Sequence, residues 1–407
     1  MSINLHATSC HKDVGKPPKI WWSNTIFFLS VHIAAAIAVY YFPPWNTQPA
    51  NLWLWFLTWQ LADFGITIGY HRLYSHKAFR ASFGVRVVLA VLGSCAFQGS
   101  IKSARCLRHR LHHRFTDDPE HDPYAATRGL FYSHMGWIFY KPNYDRLGLV
   151  EKDDLEIDPV VRLQHKYYVP LALLSGFVLP TLCGIIWGDP IGSFIYGGLL
   201  ARLFIWHCTF MVNSLAHWDG LQPYSDDDTS RGNLILALLT GGEGNHNFHH
   251  AFPHDFRSGP SRVDWDPSKW IILVLHRLGL VHSLQKARHR DMEEARHYMQ
   301  RKASFGSSDE EEEHWTGTIW NLAQLKSITL EDKSRCLMAL NGFVVDATDY
   351  LKEHPGGATL LRKYSVRIDA DEDIWARASW AFSGGLNNHS SAARRRMKEL
   401  RVAKINN

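Results

Sequence analysis

The chain has 407 residues, with 44 Lys and Arg against 39 Asp and Glu and a formal net charge of +5. So modest a charge, with no basic stripe interleaved with aromatics, argues against nucleic acid as a partner. Six scattered cysteines without a Cys-x-x-Cys pair argue against a disulfide scaffold and read as reduced thiols.

Residues 1–19 are polar and expected to be loosely ordered. Residues 20–42, 51–70, 168–187 and 191–213 are nearly uncharged and long enough to cross a bilayer, interrupted by Asp63 and Arg202. The apolar stretch after Lys12, Lys16 and Lys19 is too long for a cleavable signal. The pattern predicts a polytopic membrane protein with four transmembrane helices. Lysines flank the first span, the 43–50 connection has no Lys or Arg, and 71–167 is dense in both. The positive-inside rule then puts the N-terminus, the central loop and everything after 213 in the cytosol. The Asn388-His-Ser390 sequon would also be cytosolic, hence unglycosylated. Asp63 and Gln60 should face the bundle interior, because polar groups are costly in hydrocarbon. His32, in the first span, reads as a core or interfacial histidine. The apolar stretch 84–99 is too short to span and reads as a re-entrant or interfacial helix, and 265–278 as an amphipathic one.

The second span delivers His71-Arg-Leu-Tyr-Ser-His76 at its cytosolic end. Two denser boxes follow, His109-Arg-Leu-His112-His113 and His246-Asn-Phe-His249-His250. The i, i+3, i+4 spacing puts all three imidazoles of each box on one helix face. Asn213 and His217 stand one helical turn apart at the end of the fourth span. Histidine clusters without thiolates point to a transition metal, for which imidazole is a good donor. All boxes fall on one side of the membrane, as a single site requires. A zinc protease is excluded for want of His-Glu-x-x-His, and a metal transporter would carry its ligands at mid-membrane.

Beyond about residue 283 the composition changes. A charged helix over 285–302 and the acidic run Asp309–Glu313 read as a solvated linker. The last stretch has a strand-like Cys336–Val345, a helix near 348–352, His354-Pro-Gly-Gly357 and a later His389. Four segments are expected: a polar N-terminal segment at 1–19, a membrane domain at 20–282, a linker at 283–313 and a small module at 314–407.

Together, HRLYSH, HRLHH, NSLAH, HNFHH, EHPGG and GGLNNHSSAA resemble the fungal membrane-bound stearoyl-CoA (acyl-CoA Δ9) desaturases with a fused C-terminal cytochrome b5-like domain, over residues 20 to 405. The resemblance implies an all-α integral membrane fold, four transmembrane helices under a cytosolic helical cap, plus a small α+β cytochrome b5-like domain. It implies two iron ions held by His71, His76, His109, His112, His113, His217, His246, His249 and His250, with Asn213 acting through water. A haem b would sit between His354 and His389 as axial ligands. With both axial positions filled, it would be suited to electron transfer alone. The implied reaction is O2-dependent introduction of a Δ9 cis double bond into a long-chain acyl-CoA, with electrons from NADH through cytochrome b5 reductase. The implied location is the endoplasmic reticulum membrane, multi-pass in lipid, with both termini cytosolic. Trp55 and Trp59, at i and i+4 on the second span, would close the acyl tunnel, the alternative being an interfacial anchor.

The chain departs from the family pattern in places. One extra residue stands before the second box and one in the Thr116–Asp122 segment after it. Asn245 and Ala251 flank the third box where Tyr and Glu are usual. An insertion lies within Val366–Trp380. Two alternatives use the same donors: a related fatty-acyl hydroxylase, and a metal-binding homologue that has lost activity.

Overall fold

A computed structural model describes residues 19–102, 106–305, 315–352, 354, 357–366, 373–383, 389 and 391–406. The expectations for residues 1–18, for the acidic run and for the start of the insertion at 367–372 lie outside the described residues.

The first helix, α1 (Trp22–Tyr41), is apolar around its circumference and leaves Ile26, Ile33 and Ile37 exposed. A helix of that kind suits lipid rather than water. Among the described residues, three helical stretches are long and apolar enough to cross a membrane: Trp22–Tyr41, Tyr168–Trp187 and Pro190–His217. The expected second span differs from these. It is an α-helix, α2 (Pro49–Phe64), with Trp53, Leu57 and Leu61 exposed, and it continues as a π-helical run, Gly65–Ser75, that is almost wholly buried.

The apolar stretch expected to be too short to span forms a 13-residue helix, α3 (Phe83–Cys95). It comes so close to the end of α2 that a Cβ on Gly65 would lie 2.2 Å from the Gly93 nitrogen, so only glycine fits there. α4 (Cys106–Phe115) carries the second box. The stretch Tyr168–Trp187 turns at Gly188 into Pro190–His217, whose longest α-helical part is α5 (Ala201–Asn213). Both charges inside apolar spans are buried, as expected for Asp63, while Gln60, also expected to face inward, is half-buried. Arg202 donates to the carbonyls of Cys95 at 2.7 Å and Gly176 at 3.2 Å, and Asp63 is 3% exposed. The third box lies on α6 (His246–Ala251). The expected amphipathic and charged helices follow as α7 (Pro267–Arg277) and α8 (His289–Phe305).

The C-terminal module is α+β. Four strands, β1 (Ile319–Trp320), β2 (Leu337–Leu340), β3 (Phe343–Asp346) and β4 (Arg401–Ile405), lie in the order β1-β4-β3-β2. The expected single strand Cys336–Val345 is in fact a hairpin. Asn341 and Gly342 have φ of 50° and 80° and make the tight turn that this dipeptide favours. Before it, α9 (Leu322–Glu331) starts with a reciprocal Asn321–Gln324 capping box. Helices α10 (Ala358–Lys363), α11 (Asp373–Phe382) and α12 (Ser391–Glu399) complete the module.

Candidate metal centre

The histidines of the boxes form two clusters. His71, His76, His109, His113 and His249 make one, and His112, His217, His246 and His250 the other, each with its ligand atoms within 4.8 Å of one another. The helix face expected to carry all three imidazoles of a box is therefore divided between two centres in a regular way. On α4, His109 and His113 go to the first cluster and His112 to the second; on α6, His246 and His250 go to the second and His249 to the first. Residues four apart stack along a helix, whereas the one three apart points to the other flank. Each helix thus lies between the clusters and serves both.

The first box reaches its cluster by a different device. His71 and His76 are five apart, which a regular α-helix would turn away from each other. The π-helical run bonds i to i+5, as in His76 N to His71 O at 3.1 Å, and brings both rings into the same cluster. His217 needs another correction. Its helix ends at Asn213, the chain breaks at Ser214, and a short 3₁₀ turn over Leu215–His217 swings the imidazole into the second cluster. Asn213, at the end of α5, is 8% exposed and its Nδ2 is buried without a hydrogen-bond partner.

Polar neighbours orient the rings. His112 Nδ1 meets Asp122 at 2.9 Å, His250 Nδ1 meets Asp228 at 3.1 Å, and His71 Nδ1 lies 3.3 Å from Glu243. His217 Nδ1 donates to Thr229 Oγ1 at 3.0 Å, and that hydroxyl donates on to Asp117 at 2.9 Å. These partners assign the proton to Nδ1 and leave Nε2 as a bare lone pair. The Nε2 atoms then face one another: His71 to His249 at 3.0 Å, His76 to His109 at 2.8 Å, His113 to His249 at 3.0 Å, and His217 to His246 at 3.2 Å. His250 Nε2 is buried without any partner. Lone pairs converging in this way repel unless a cation lies among them, so both clusters fit a metal. Five nitrogens exceed the four of a structural zinc site.

The electrostatics agree, since a ligand imidazole must be neutral. Burial, then the neighbouring imidazoles, hold His76, His109, His113, His246, His249 and His250 well below the ordinary histidine value. His112 goes the other way. Burial pulls it down, but the charge and hydrogen bond of Asp122 outweigh that and raise it. Burial would raise Glu243, but the Arg72 charge and the hydrogen bonds of His71 and Ser258 outweigh it and hold it down at about 2. It belongs to a buried ion triad in which Arg72 also bridges to Asp266 at 3.0 Å.

In the C-terminal module, His354 and His389 face each other across an apolar cleft, with ring centroids 6.4 Å apart. That gap admits one iron bound at about 2 Å by each imidazole nitrogen. His389 Nδ1 bonds the Phe382 carbonyl at 2.9 Å, freeing its Nε2 for the cleft. Met338, Leu361, Phe382 and Met397 line the walls, as a flat apolar macrocycle requires. A cavity of about 1130 Å³ runs between the modules and touches His76, His113 and His250 on one side and His354 and His389 on the other.

Trp55 and Trp59 are stacked, with centroids 5.7 Å apart, and Trp59 is 7% exposed and packs edge-on against Phe204 of α5 at 4.8 Å. The supporting groups Glu243, Asp122, Asp228 and Thr229 do not stand out in the sequence. Glu243 stands three residues before His246, and Asp122 ends the Thr116–Asp122 segment that follows the second box.

Comparison with known proteins parallels this division. Residues 47–265 match the family described as Fatty acid desaturase, and 321–406 match the Cytochrome b5-like Heme/Steroid binding domain. Acyl-CoA desaturase 1 of Saccharomyces cerevisiae is 40% identical over 344 residues, 84% of this chain; the chain spans 65% of that protein's length. The Probable acyl-CoA desaturase of Schizosaccharomyces pombe is 35% identical over 95% of this chain and 78% of its own length. Human Stearoyl-CoA desaturase 5 is 36% identical over 67% of this chain and 83% of its own length.

Proposed function

Since this chain belongs to the fatty acid desaturase family, we propose that it is a membrane acyl-CoA desaturase that reduces O2 while introducing a Δ9 cis double bond into a long-chain acyl-CoA. The observation that carries this reading is the pair of histidine clusters with Nε2 atoms converging at about 3 Å. They suit two irons, which when bound supply the oxidant for an unactivated C–H bond. The nine histidines would be the ligands, with Asn213 holding a water. Overall, a –CH2–CH2– unit, O2, two electrons and two protons become –CH=CH– and two waters.

The protein's own part is to orient and to exclude water. Glu243, Asp122, Asp228 and Thr229 fix the ring tautomers, and the buried apolar bundle keeps solvent from a strongly oxidising centre. Haem between His354 and His389 would pass electrons singly, received from NADH through cytochrome b5 reductase. With four spans, α2 and its π-helical continuation being the second, the positive-inside rule supports both termini and the nine clustered histidines lying on the cytosolic side, in the endoplasmic reticulum membrane. On this reading the membrane domain covers 20–282, the linker 283–313 and the haem module 314–407. Expression in a host lacking its own desaturase, with fatty-acid profiling by mass spectrometry, tests the proposal. Monounsaturated acids with the bond at carbon 9 are expected; hydroxylated or unchanged acids would overturn it.

A further inference from the structure

Three consecutive carboxylates, Asp226, Asp227 and Asp228, each reach a different part of the molecule. Asp228 holds Nδ1 of the cluster histidine His250 at 3.1 Å. Asp227 accepts from the backbone N–H of Ser391 at 2.7 Å and from its hydroxyl at 2.5 Å. Ser391 begins α12 and stands two residues after His389. Asp226 pairs with Lys302, near the end of the linker helix α8, at 2.6 Å.

The loop is itself anchored to the third box. Asn247, 1% exposed between His246 and Phe248, donates to the carbonyls of Ser225 at 2.7 Å and Ser230 at 3.0 Å and accepts from Tyr224 N at 2.9 Å. A brace closes around it. The far end of α12 is held by Glu399, which lies 3.0 Å from Arg290 and 3.7 Å from Arg288 at the start of α8. Midway, the Arg395 guanidinium stacks over Tyr298 at 4.8 Å. The helix after the haem-side histidine is therefore tied at both ends, once to the loop that orients a metal-side histidine and once to the linker. Each exposed pair is weak alone; the closed ring of them is what constrains the module.

We propose that this aspartate loop sets the placement of the haem module relative to the metal clusters, with Asp227 as the positioning residue for electron transfer across the shared cavity. The proposal rests on the desaturase reading. In each transfer one electron leaves a reduced haem and one ferric ion becomes ferrous, so two transfers serve one double bond. Asp227 touches neither centre and acts by fixing Ser391 and hence the His389 segment.

The test uses the full-length holoprotein with Asp227→Ala, and Asp227→Asn as the conservative variant that keeps an acceptor for the Ser391 N–H. The haem is reduced with NADH and reductase, and its reoxidation is followed with O2 and stearoyl-CoA present. In Asp227→Ala, reoxidation should slow about tenfold or more while haem spectrum, haem potential and iron content stay unchanged. Asp227→Asn should recover much of the rate, and an independent soluble cytochrome b5 should restore product formation in Asp227→Ala. Hydrogen exchange supplies a readout separate from turnover: the Ser391 amide should be protected in the parent and lose protection in Asp227→Ala. An unchanged reoxidation rate, an equally protected Ser391 amide, or failure of the added cytochrome b5 to restore product would each overturn the proposal. A parent protein that makes no unsaturated product but shows the exchange difference would instead count against the desaturase reading.

Discussion

Five imidazoles surround one centre and four the other, and the two clusters are supported in different ways. The five-histidine cluster rests on helices: the π-helical run, α4 and α6. Its one orienting carboxylate, Glu243, is locked in a buried triad with Arg72 and Asp266. The four-histidine cluster takes its support from loops, Asp117–Asp122 on one side and Asp228–Thr229 on the other, each holding a ring by Nδ1. Because α4 and α6 serve both clusters, neither can form without most of the other's backbone. Their side chains are nevertheless separable. The cavity toward the haem cleft meets both, touching His76 and His113 of the first and His250 of the second.

The strongest way to break this comparison is to remove one ligand from each side. His109→Ala in the first cluster and His112→Ala in the second should each abolish product. Iron measured by mass spectrometry should fall to about one per chain in each variant, with the haem spectrum intact. Loss of both irons from a single change would show that the clusters are one cooperative unit. Retained activity in His112→Ala would take that residue out of the ligand set. The next largest effect tests independence from the haem module. Deleting residues 306–407 should remove the haem and most activity, and excess separate cytochrome b5 should restore part of it. No restoration at any concentration would mean the membrane domain needs the module in order to fold.

The orienting carboxylates separate the clusters more finely. Asp122→Asn should weaken metal binding about 10–100-fold with little change in folding. Glu243→Gln strips charge from a buried triad and should also destabilise the fold by about 3–5 kcal/mol, read as a lower melting temperature in the metal-free protein. Equal melting temperatures for the two variants would remove the distinction. Acid titration of the metal-free protein sharpens it further. The six depressed imidazoles His76, His109, His113, His246, His249 and His250 contribute stability that is present above the unfolded value of about 6.5 and lost as pH falls below it. His112, raised by Asp122, contributes stability present below that value and lost as pH rises through its folded pKa. Nitrogen NMR of labelled histidines should find His112 titrating above its unfolded value and these six below theirs, so that His112 alone marks the second cluster.

The histidines themselves were legible because their spacing is a local property of the chain, and so were the apolar spans and the change of composition after residue 283. The division into two clusters was not. It depends on each helix lying between two centres, which periodicity alone does not say. The π-helical run was hidden because Gly65–Ser75 reads as ordinary helix, and its i to i+5 bonding shows only in how His71 and His76 meet. Ser214 carries no mark of the break that redirects His217. Asp122, Asp228 and Glu243 look like any acidic residues until a fold brings them to a ring nitrogen. The hairpin at Asn341-Gly342 is a different case, since the dipeptide is a plain turn signal inside what was read as one strand.

The smallest expected effect concerns what lies away from the metals. α2 leads through the π-helical run to His71 of the first cluster, and α5 leads to His217 of the second by way of the break at Ser214. Trp59 of α2 packs against Phe204 of α5 with centroids 4.8 Å apart, so one aromatic contact joins the helices feeding the two centres. A membrane anchor would show its indole to the interface, whereas Trp59 is 7% exposed and its Nε1 is buried. We propose that this buried aromatic pair closes the acyl tunnel. Replacing the indole by a methyl opens space there without moving any ligand. Trp59→Ala should therefore shift products toward longer chains, with the double bond at an unchanged distance from the thioester, since that distance is set at the other end. Fatty-acid profiling at matched expression reads the shift. If instead the bond position moved, Trp59 would be fixing α2 against α5 and so the spacing of the two clusters. An unchanged profile would leave it as packing between the helices alone.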